Sequence, residues 1–192
     1  MYKGKTYLAI IPARGGSKRL PRKNVLDLNG KPLVAWSIEA GLSSKYIDKV
    51  VVTSDDAEIL SIAEYYGALS INRPAELSND TATTFDAIKH TIENLEKYDH
   101  VILLQATSPL RNEKHIDEAI ELLESKHSSA VVSVCEMDHS PLWSNILDDS
   151  LSMKSFFLKN NIFAYKMNRE NSIDIDEEID FKMAEVFLKG LK

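Results

Sequence analysis

The chain is poor in cysteine, with Cys135 as its only one among 192 residues, so it cannot form an intrachain disulfide. No apolar run approaches the roughly 20 residues of a membrane-spanning helix, and the N-terminal segment lacks the apolar core and the cleavage site of a signal peptide. We therefore expect a cytoplasmic protein with no membrane partner. Basic residues number 23 against 29 acidic ones. This net-acidic balance argues against general nucleic-acid binding, which usually needs a basic face.

Several motifs of known enzyme chemistry are also missing. The sequence contains no Walker A motif, no G-x-G-x-x-G and no G-x-S-x-G nucleophile elbow. The five histidines are scattered, and no two of them have the spacing of metal ligands. Cys135 ends an apolar run, which favours a core position over a nucleophilic role.

What the sequence does contain is an alternation of short apolar runs with helical patterns. The runs predict strands at 7–11, 49–54, 100–105, 130–135 and 162–165. The last helical pattern predicts a buried face formed by Ile179, Met183, Val186 and Phe187. Strands that alternate with helices indicate an α/β fold with a mostly parallel sheet and flanking helices. No repeat or linker divides the chain, so we predict a single domain over residues 1–192.

The loops that follow three of these strands carry charged and turn-forming residues. PARGGSKRLPRKN follows the first strand, TSDD the second, and ATSPLR the VILLQ strand. In a parallel sheet, ligands bind beyond the carboxyl ends of the strands. The sequence therefore predicts a functional site at this edge of the sheet.

The first of these loops gathers five cationic side chains, at Arg14, Lys18, Arg19, Arg22 and Lys23. Its two glycines, at positions 15 and 16, allow close backbone approach and leave amide groups to face an anion. Arg14 can hold phosphate through a fork of donors, whereas Lys18 and Lys23 act as mobile charges. A polyphosphate fits this set better than a single phosphate. The alternative is a solvated basic turn.

An acidic segment, NSIDIDEEID (171–180), lies at the other end of the chain. Alternation places Asp174 and Asp176 on one side of an extended segment. Two such carboxylates repel unless a cation lies between them, and Mg²⁺ is often held by one or two carboxylates together with substrate phosphates. The alternative is that Asp176, Glu177 and Glu178 face the dipole of the last helix. The two roles are compatible.

Two polar loops add weaker candidates. Arg73 and the threonine hydroxyls of segment 72–84 could contact a nucleotide, although threonine is equally typical of a helix N-cap. Gln105 ends a buried strand, and its amide could contact a polar edge of a ligand. The residues that follow it, Ser108 to Asn112, are also typical of a turn and a cap.

Four segments in this order, IIPARGGSKRLPRKN, NRPAELSNDTATT, VILLQATSPLR and SIDIDEEIDF, resemble the acylneuraminate cytidylyltransferases, the CMP-sialic acid synthetases. The resemblance covers most of residues 6–142 and 154–188. It implies a Rossmann-like, nucleotide-diphospho-sugar transferase-like fold. It also implies magnesium-dependent transfer of CMP from CTP to a nine-carbon 2-keto acid sugar, sialic acid or a related nonulosonate, with release of pyrophosphate.

The resemblance assigns roles to individual residues. The implied triphosphate-binding cations are Arg14, Lys18 and Lys23. The implied contacts to cytosine and ribose are Ser17, Asn24, Arg73, Ala82 and Thr84. Those to the sugar are Gln105, Phe156 and Phe157, and the implied magnesium ligands are Asp174 and Asp176. Arg14, Lys18 and Lys23 would act in catalysis by stabilising the charge on the leaving pyrophosphate, and Asp176 would act through the magnesium that it holds. No residue pattern identifies a general base.

The chain departs from the family pattern around 143–156, where a dimerisation arm and a sugar-binding strand are expected. Segment 139–161 leads almost directly to the closing region. This predicts a monomer, or a dimer through another surface, with a sugar side more open to water. Two alternatives stay open: a 3-deoxy-manno-octulosonate cytidylyltransferase, whose opening loop is similar, and a nucleotide-binding family member whose catalysis is lost or depends on a partner.

Overall fold

The computed structural model describes residues 1–79, 81–136 and 161–190. The elements are, in chain order, β1 (Tyr7–Pro12), α1 (Leu33–Ser43), β2 (Lys49–Ser54), α2 (Ala57–Tyr65), β3 (Leu69–Asn72), α3 (Thr84–Glu93), β4 (His100–Leu103), α4 (Glu113–Ser125), β5 (Ala130–Val134), β6 (Ile162–Lys166) and α5 (Glu178–Gly190). All five predicted strands are confirmed, and β3 is an addition. The predicted reduction around 143–156, with Phe156 and Phe157, lies outside the described residues.

The strands form two parallel arrangements. Four of them make a sheet in the order β3-β2-β1-β4, and β5 and β6 pair separately. The central strand β1 is buried from Tyr7 to Ile11, because apolar side chains of α1, α2 and α4 cover one face of the sheet and those of α3 cover the other. The predicted α/β fold with a mostly parallel sheet is confirmed. None of the helices in the described part of the chain is long and apolar enough to cross a membrane.

The register brings the predicted site loops together at one edge of the sheet. The N–H of Ala13, just past β1, donates to the carbonyl of Thr53 at the end of β2 (3.0 Å), and that of Leu104 donates to Ile10 (2.9 Å). The acidic segment joins them, since the N–H of Ile175 donates to the carbonyl of Thr107 at 2.8 Å. Loops from the two ends of the chain therefore meet beyond the carboxyl ends of β1 and β4.

Helix α5 buries a different face from the one predicted. Ala184 and Leu188 are buried against Leu28, Leu33 and their neighbours. Of the predicted face, Ile179, Met183 and Val186 are 60%, 46% and 68% exposed, and only Phe187 packs against the core. Both faces carry apolar side chains, so the helical period alone did not distinguish them.

A buried acid ties the amino ends of β1 and β4 to α4, at the sheet edge opposite the site. Glu124 is 4% exposed and accepts hydrogen bonds from the Tyr7 hydroxyl (2.9 Å) and the Lys5 ammonium (3.0 Å). His100 Nε2 lies 3.4 Å from the same carboxylate. Burial acts to raise the pKa of Glu124, but the hydrogen bonds from Lys5 and Tyr7 outweigh it and hold that pKa below its ordinary value.

We expect Glu124→Ala to lower the free energy of unfolding by about 1–3 kcal/mol, because the Tyr7 hydroxyl is left buried without its acceptor. Urea unfolding at neutral pH measures the loss. Because the folded-state pKa is depressed, the wild-type advantage should be fully present above the unfolded pKa and shrink as the pH falls through the folded one. Glu93→Ala, which removes an exposed carboxylate paired with Lys89, is the matched control. Equal losses in the two variants would contradict the prediction.

Candidate functional site

A cleft of about 340 Å³ opens where these loops meet, and we call it the small cleft. Predicted site residues that line it are Arg14, Lys23, Asn24, Arg73, Ala82, Thr84 and Gln105. Ser17, Lys18 and Asp176 are not among its lining residues, and Asp174 lines a neighbouring cavity instead. The structure thus brings most of the predicted nucleotide-binding residues together around one opening.

Two buried polar side chains lie in the wall of the small cleft. Asn24 and Arg73 are each only 6% exposed. The amide of Asn24 donates to the Arg14 carbonyl at 3.0 Å, which fixes the basic loop, and its Oδ1 accepts from no donor among the described residues. Arg73 Nε donates to Ser78 Oγ at 2.9 Å. Burial lowers the pKa of Arg73, and the charge of Asp55 partly opposes that effect. Asn24 Oδ1 can accept a hydrogen bond from a polar group of a ligand, and the Arg73 guanidinium can donate one.

The turn before α3 forms another wall of the small cleft. Asn79 Oδ1 accepts from the N–H groups of Thr81 and Ala82, each at 2.9 Å, and from the Thr81 hydroxyl at 2.7 Å. Thr83 caps α3 in a capping box with Asp86, so the N-cap alternative is correct for this threonine. The amino end of α3 therefore faces the small cleft with a partial positive charge.

Sequence reasoning missed several lining residues of the small cleft: Pro12, Leu77, Ser78, Asn79, Ala106 and Thr107. A signal was present for Asn79, since asparagine often bonds to the backbone two residues ahead in a turn. The others are placed by the packing of separate loops.

Lys23 connects the basic loop to the acidic segment. Its ammonium donates to the Ile175 carbonyl at 2.6 Å and to Asp176 Oδ1 at 3.1 Å. Arg19 donates to the other oxygen of Asp176 at 3.3 Å. The hydrogen bond and charge of Lys23, together with the charge of Arg19, lower the pKa of Asp176. The basic loop and the acidic segment are therefore in direct contact.

The neighbouring Arg22 has a different role. Its guanidinium pairs with Asp56 and Glu58 at the start of α2, and Asp56 also caps that helix. The N–H of Gly15 donates to Asp55 at 3.1 Å, so the expectation that this amide faces a ligand is wrong. A Cβ at Gly15 would lie 2.5 Å from Asp56 Oδ2, so only glycine fits there.

The acidic pair has the predicted alternation. Asp174 and Asp176 are exposed, and Ile175 between them is fully buried. At the start of α5, Asp180 accepts from the N–H groups of Asp176 (3.0 Å) and Glu177 (2.8 Å), whereas the Asp176 carboxylate pairs with Lys23 and Arg19. The described residues contain no cluster of three or more acidic, histidine or cysteine ligands. Two carboxylates on one side nevertheless fit a metal that takes its other ligands from phosphates and water.

A second opening of about 800 Å³ lies between β4 and β5, and we call it the large cavity. Gln105 lines both openings, so the large cavity adjoins the small cleft. Asp174 and Arg111 also lie in its wall. The arrangement can therefore hold two ligands side by side, a polyanion in the small cleft and a second polar molecule in the large cavity.

The sequence pattern of the cytidylyltransferase family matches residues 8–183. The chain belongs to the cytidylyltransferase family. The N-acylneuraminate cytidylyltransferase of Escherichia coli is 37% identical over 212 residues, covering 92% of this chain and 51% of that protein. A pseudaminic acid cytidylyltransferase of Campylobacter jejuni is 44% identical over 137 residues, covering 69% of this chain and 59% of that one.

This cytidylyltransferase chain thus spans only about half the length of the curated relatives it matches. Solved structures with low sequence identity share its fold. A CMP:2-keto-3-deoxy-manno-octonic acid synthetase complexed with CTP matches with a TM-score of 0.75 at 17% identity, covering 97% of this chain and all of that one. The 4-diphosphocytidyl-2C-methyl-D-erythritol synthase of Anaerococcus prevotii matches with a TM-score of 0.69 at 18% identity, covering 97% of each chain.

Proposed function

We propose that this chain is a nucleotidyltransferase that transfers CMP from CTP to a nine-carbon 2-keto acid sugar and releases pyrophosphate. The observation that carries the proposal is the contact of Lys23 with the acidic segment beside the small cleft, which joins a polyphosphate site to a candidate metal site. The names of the two relatives support sialic acid or another nonulosonate as the acceptor. They favour it over a 3-deoxy-manno-octulosonate, for which the structural neighbour supports the fold alone.

The reaction is an in-line displacement at the α-phosphorus of CTP. The oxygen of the acceptor's anomeric hydroxyl forms a bond to that phosphorus, the bond to the bridging oxygen of pyrophosphate breaks, and the hydroxyl proton passes to solvent. Arg14 and Lys23 lie in the cleft wall, where they neutralise charge on the phosphates as it moves to the leaving group. Lys18, on the same loop, would act with them from outside the cleft wall. Asn24 and Arg73 would hold the nucleoside in the buried part of the cleft.

We also propose Mg²⁺ as the cofactor, held by Asp174 and Asp176. The support is the pair of exposed carboxylates on one side of an extended segment. When bound, the ion would neutralise phosphate oxygens as a Lewis acid. Asp176 has a second function in this proposal, because its carboxylate holds the Lys23 ammonium in place.

We propose that the reaction takes place in the cytoplasm, which suits a chain with one cysteine. We further propose a monomer, or a dimer that does not use residues 143–156. Partners other than CTP and the sugar acid are not part of the proposal.

CTP is expected to bind, with Mg²⁺, at least about tenfold more tightly than ATP or GTP, because a small cleft with fixed polar groups discriminates against a purine. Calorimetry with the three nucleotides measures the affinities. Pyrophosphate release from CTP with a panel of 2-keto acid sugars then tests the transfer itself. Equal affinity for all three nucleotides would remove the cytidine assignment. CTP binding without transfer to any sugar would favour the alternative of a family member whose catalysis is lost or depends on a partner.

A further inference from the structure

Arg111 is a half-buried cation without an acidic partner among the residues that the structure describes. Its Nη2 donates to Ser37 Oγ at 2.8 Å and to the Gln105 carbonyl at 3.5 Å, and its buried Nε has no hydrogen-bond acceptor in the described part of the chain. No ion pair of residues 1–79, 81–136 and 161–190 includes it. Burial lowers the pKa of Arg111 to about 10, so the guanidinium remains charged at neutral pH.

A charge that is removed from water without an opposite charge destabilises the fold. The hydrogen bonds to Ser37 and Gln105 would hold the turn after β4 against α1, and this structural role is the alternative to a binding role. A neutral donor could make the same two bonds, however, and they leave the Nε of Arg111 unused. The charge and the unused N–H both point to an anion that is not part of the chain.

The position of Arg111 shows which anion it can reach. It is the one arginine or lysine among the described residues in the wall of the large cavity. Gln105, whose carbonyl it contacts, also lines the small cleft. The N–H of Ile175 donates to the carbonyl of Thr107, which lies in the same turn after β4 as Arg111. This hydrogen bond places the Asp174–Asp176 segment beside that turn. A molecule in the large cavity would therefore lie between Arg111 and the proposed phosphate and metal sites.

We propose that Arg111 binds the carboxylate of the acceptor sugar acid in the large cavity. In a 2-keto acid sugar the carboxylate is attached to the anomeric carbon that bears the reacting hydroxyl. A residue that fixes the carboxylate therefore also orients that hydroxyl towards the nucleotide. The identity of the acceptor rests on the proposed function, but carboxylate binding at Arg111 can be measured without turnover.

The test compares N-acetylneuraminic acid with its C1 carboxamide, which keeps the sugar and removes the charge. Calorimetry in the absence of CTP should show that Arg111→Gln weakens binding of the acid by about 10- to 100-fold, the value of a charge-assisted hydrogen bond. Binding of the carboxamide and of CTP should be unchanged. Arg111→Lys keeps the charge and should retain part of the preference for the acid.

Ser37→Ala is the matched control, because it removes the contact that anchors Arg111 and keeps the guanidinium. A loss in Ser37→Ala equal to that in Arg111→Gln, or equal losses for acid and carboxamide, would overturn the proposal in favour of a structural role. If Arg111→Gln does not fold, the affinities of the wild-type chain for the acid and the carboxamide are compared instead. Equal affinities would also overturn the proposal. Acid-selective binding at Arg111 without pyrophosphate release would support this site while contradicting the proposed transfer reaction.

Discussion

Lys23→Ala is expected to lower the turnover number of CMP transfer by about 100- to 1000-fold, the effect of removing one electrostatic donor from a reacting centre. The side chain of Lys23 is 13% exposed and lines the small cleft. Its ammonium is placed by the Ile175 carbonyl and by Asp176, so it is oriented before the substrate binds. Charge that develops on the leaving pyrophosphate is therefore neutralised without reorganisation of the loop.

Pyrophosphate release under saturating CTP and acceptor measures this loss, and circular dichroism checks that the fold is retained. Arg22→Ala is the matched control, because Arg22 is the adjacent residue with the same charge but pairs with Asp56 and Glu58. We expect its turnover to stay within a few-fold of the wild type. Unchanged turnover in Lys23→Ala would show that the loop is a surface feature, and equal losses in both variants would indicate a general disturbance of the loop.

Asp176→Asn is expected to abolish turnover at limiting Mg²⁺ while leaving the fold intact. Asparagine keeps the shape of the side chain but loses the negative charge that the proposed metal site requires. The start of α5 should not change, because the carboxylate that accepts from the backbone N–H groups there belongs to Asp180 and not to Asp176. A high concentration of Mg²⁺ should restore part of the activity, since Asp174 remains.

The dependence of pyrophosphate release on Mg²⁺ measures this effect, and paramagnetic resonance of Mn²⁺ in the presence of CTP reports metal binding without turnover. Glu177→Gln is the matched control, because it removes an adjacent exposed carboxylate outside the proposed ligand pair. If Asp176→Asn keeps full activity at limiting Mg²⁺, the role of Asp176 is confined to its ion pairs with Lys23 and Arg19.

The amino-acid sequence by itself predicted every strand except β3, and it predicted the loops that meet at the small cleft. Strands such as β1 and β2 are buried on both faces. Such a strand is a continuous apolar run, so its own sequence predicts it. The alternation of Asp174, Ile175 and Asp176 is also local, and the structure shows the two acids exposed with the isoleucine buried. A parallel sheet gathers the carboxyl ends of its strands at one edge. The sequence therefore also predicted that the loops after these strands lie close together.

Only the tertiary structure decided which partner each of several similar charged side chains contacts. Arg22 and Lys23 are adjacent cations, yet one pairs with α2 and the other with Asp176, a residue 153 positions further along the chain. The same holds for α5, where packing against Leu28 and Leu33 selected Ala184 and Leu188 over the predicted face. In the same way, only the structure shows that Arg111 has no acidic partner within residues 1–79, 81–136 and 161–190. The partner of a charge and the covered face of a helix are set by segments distant in sequence, and no local pattern records them.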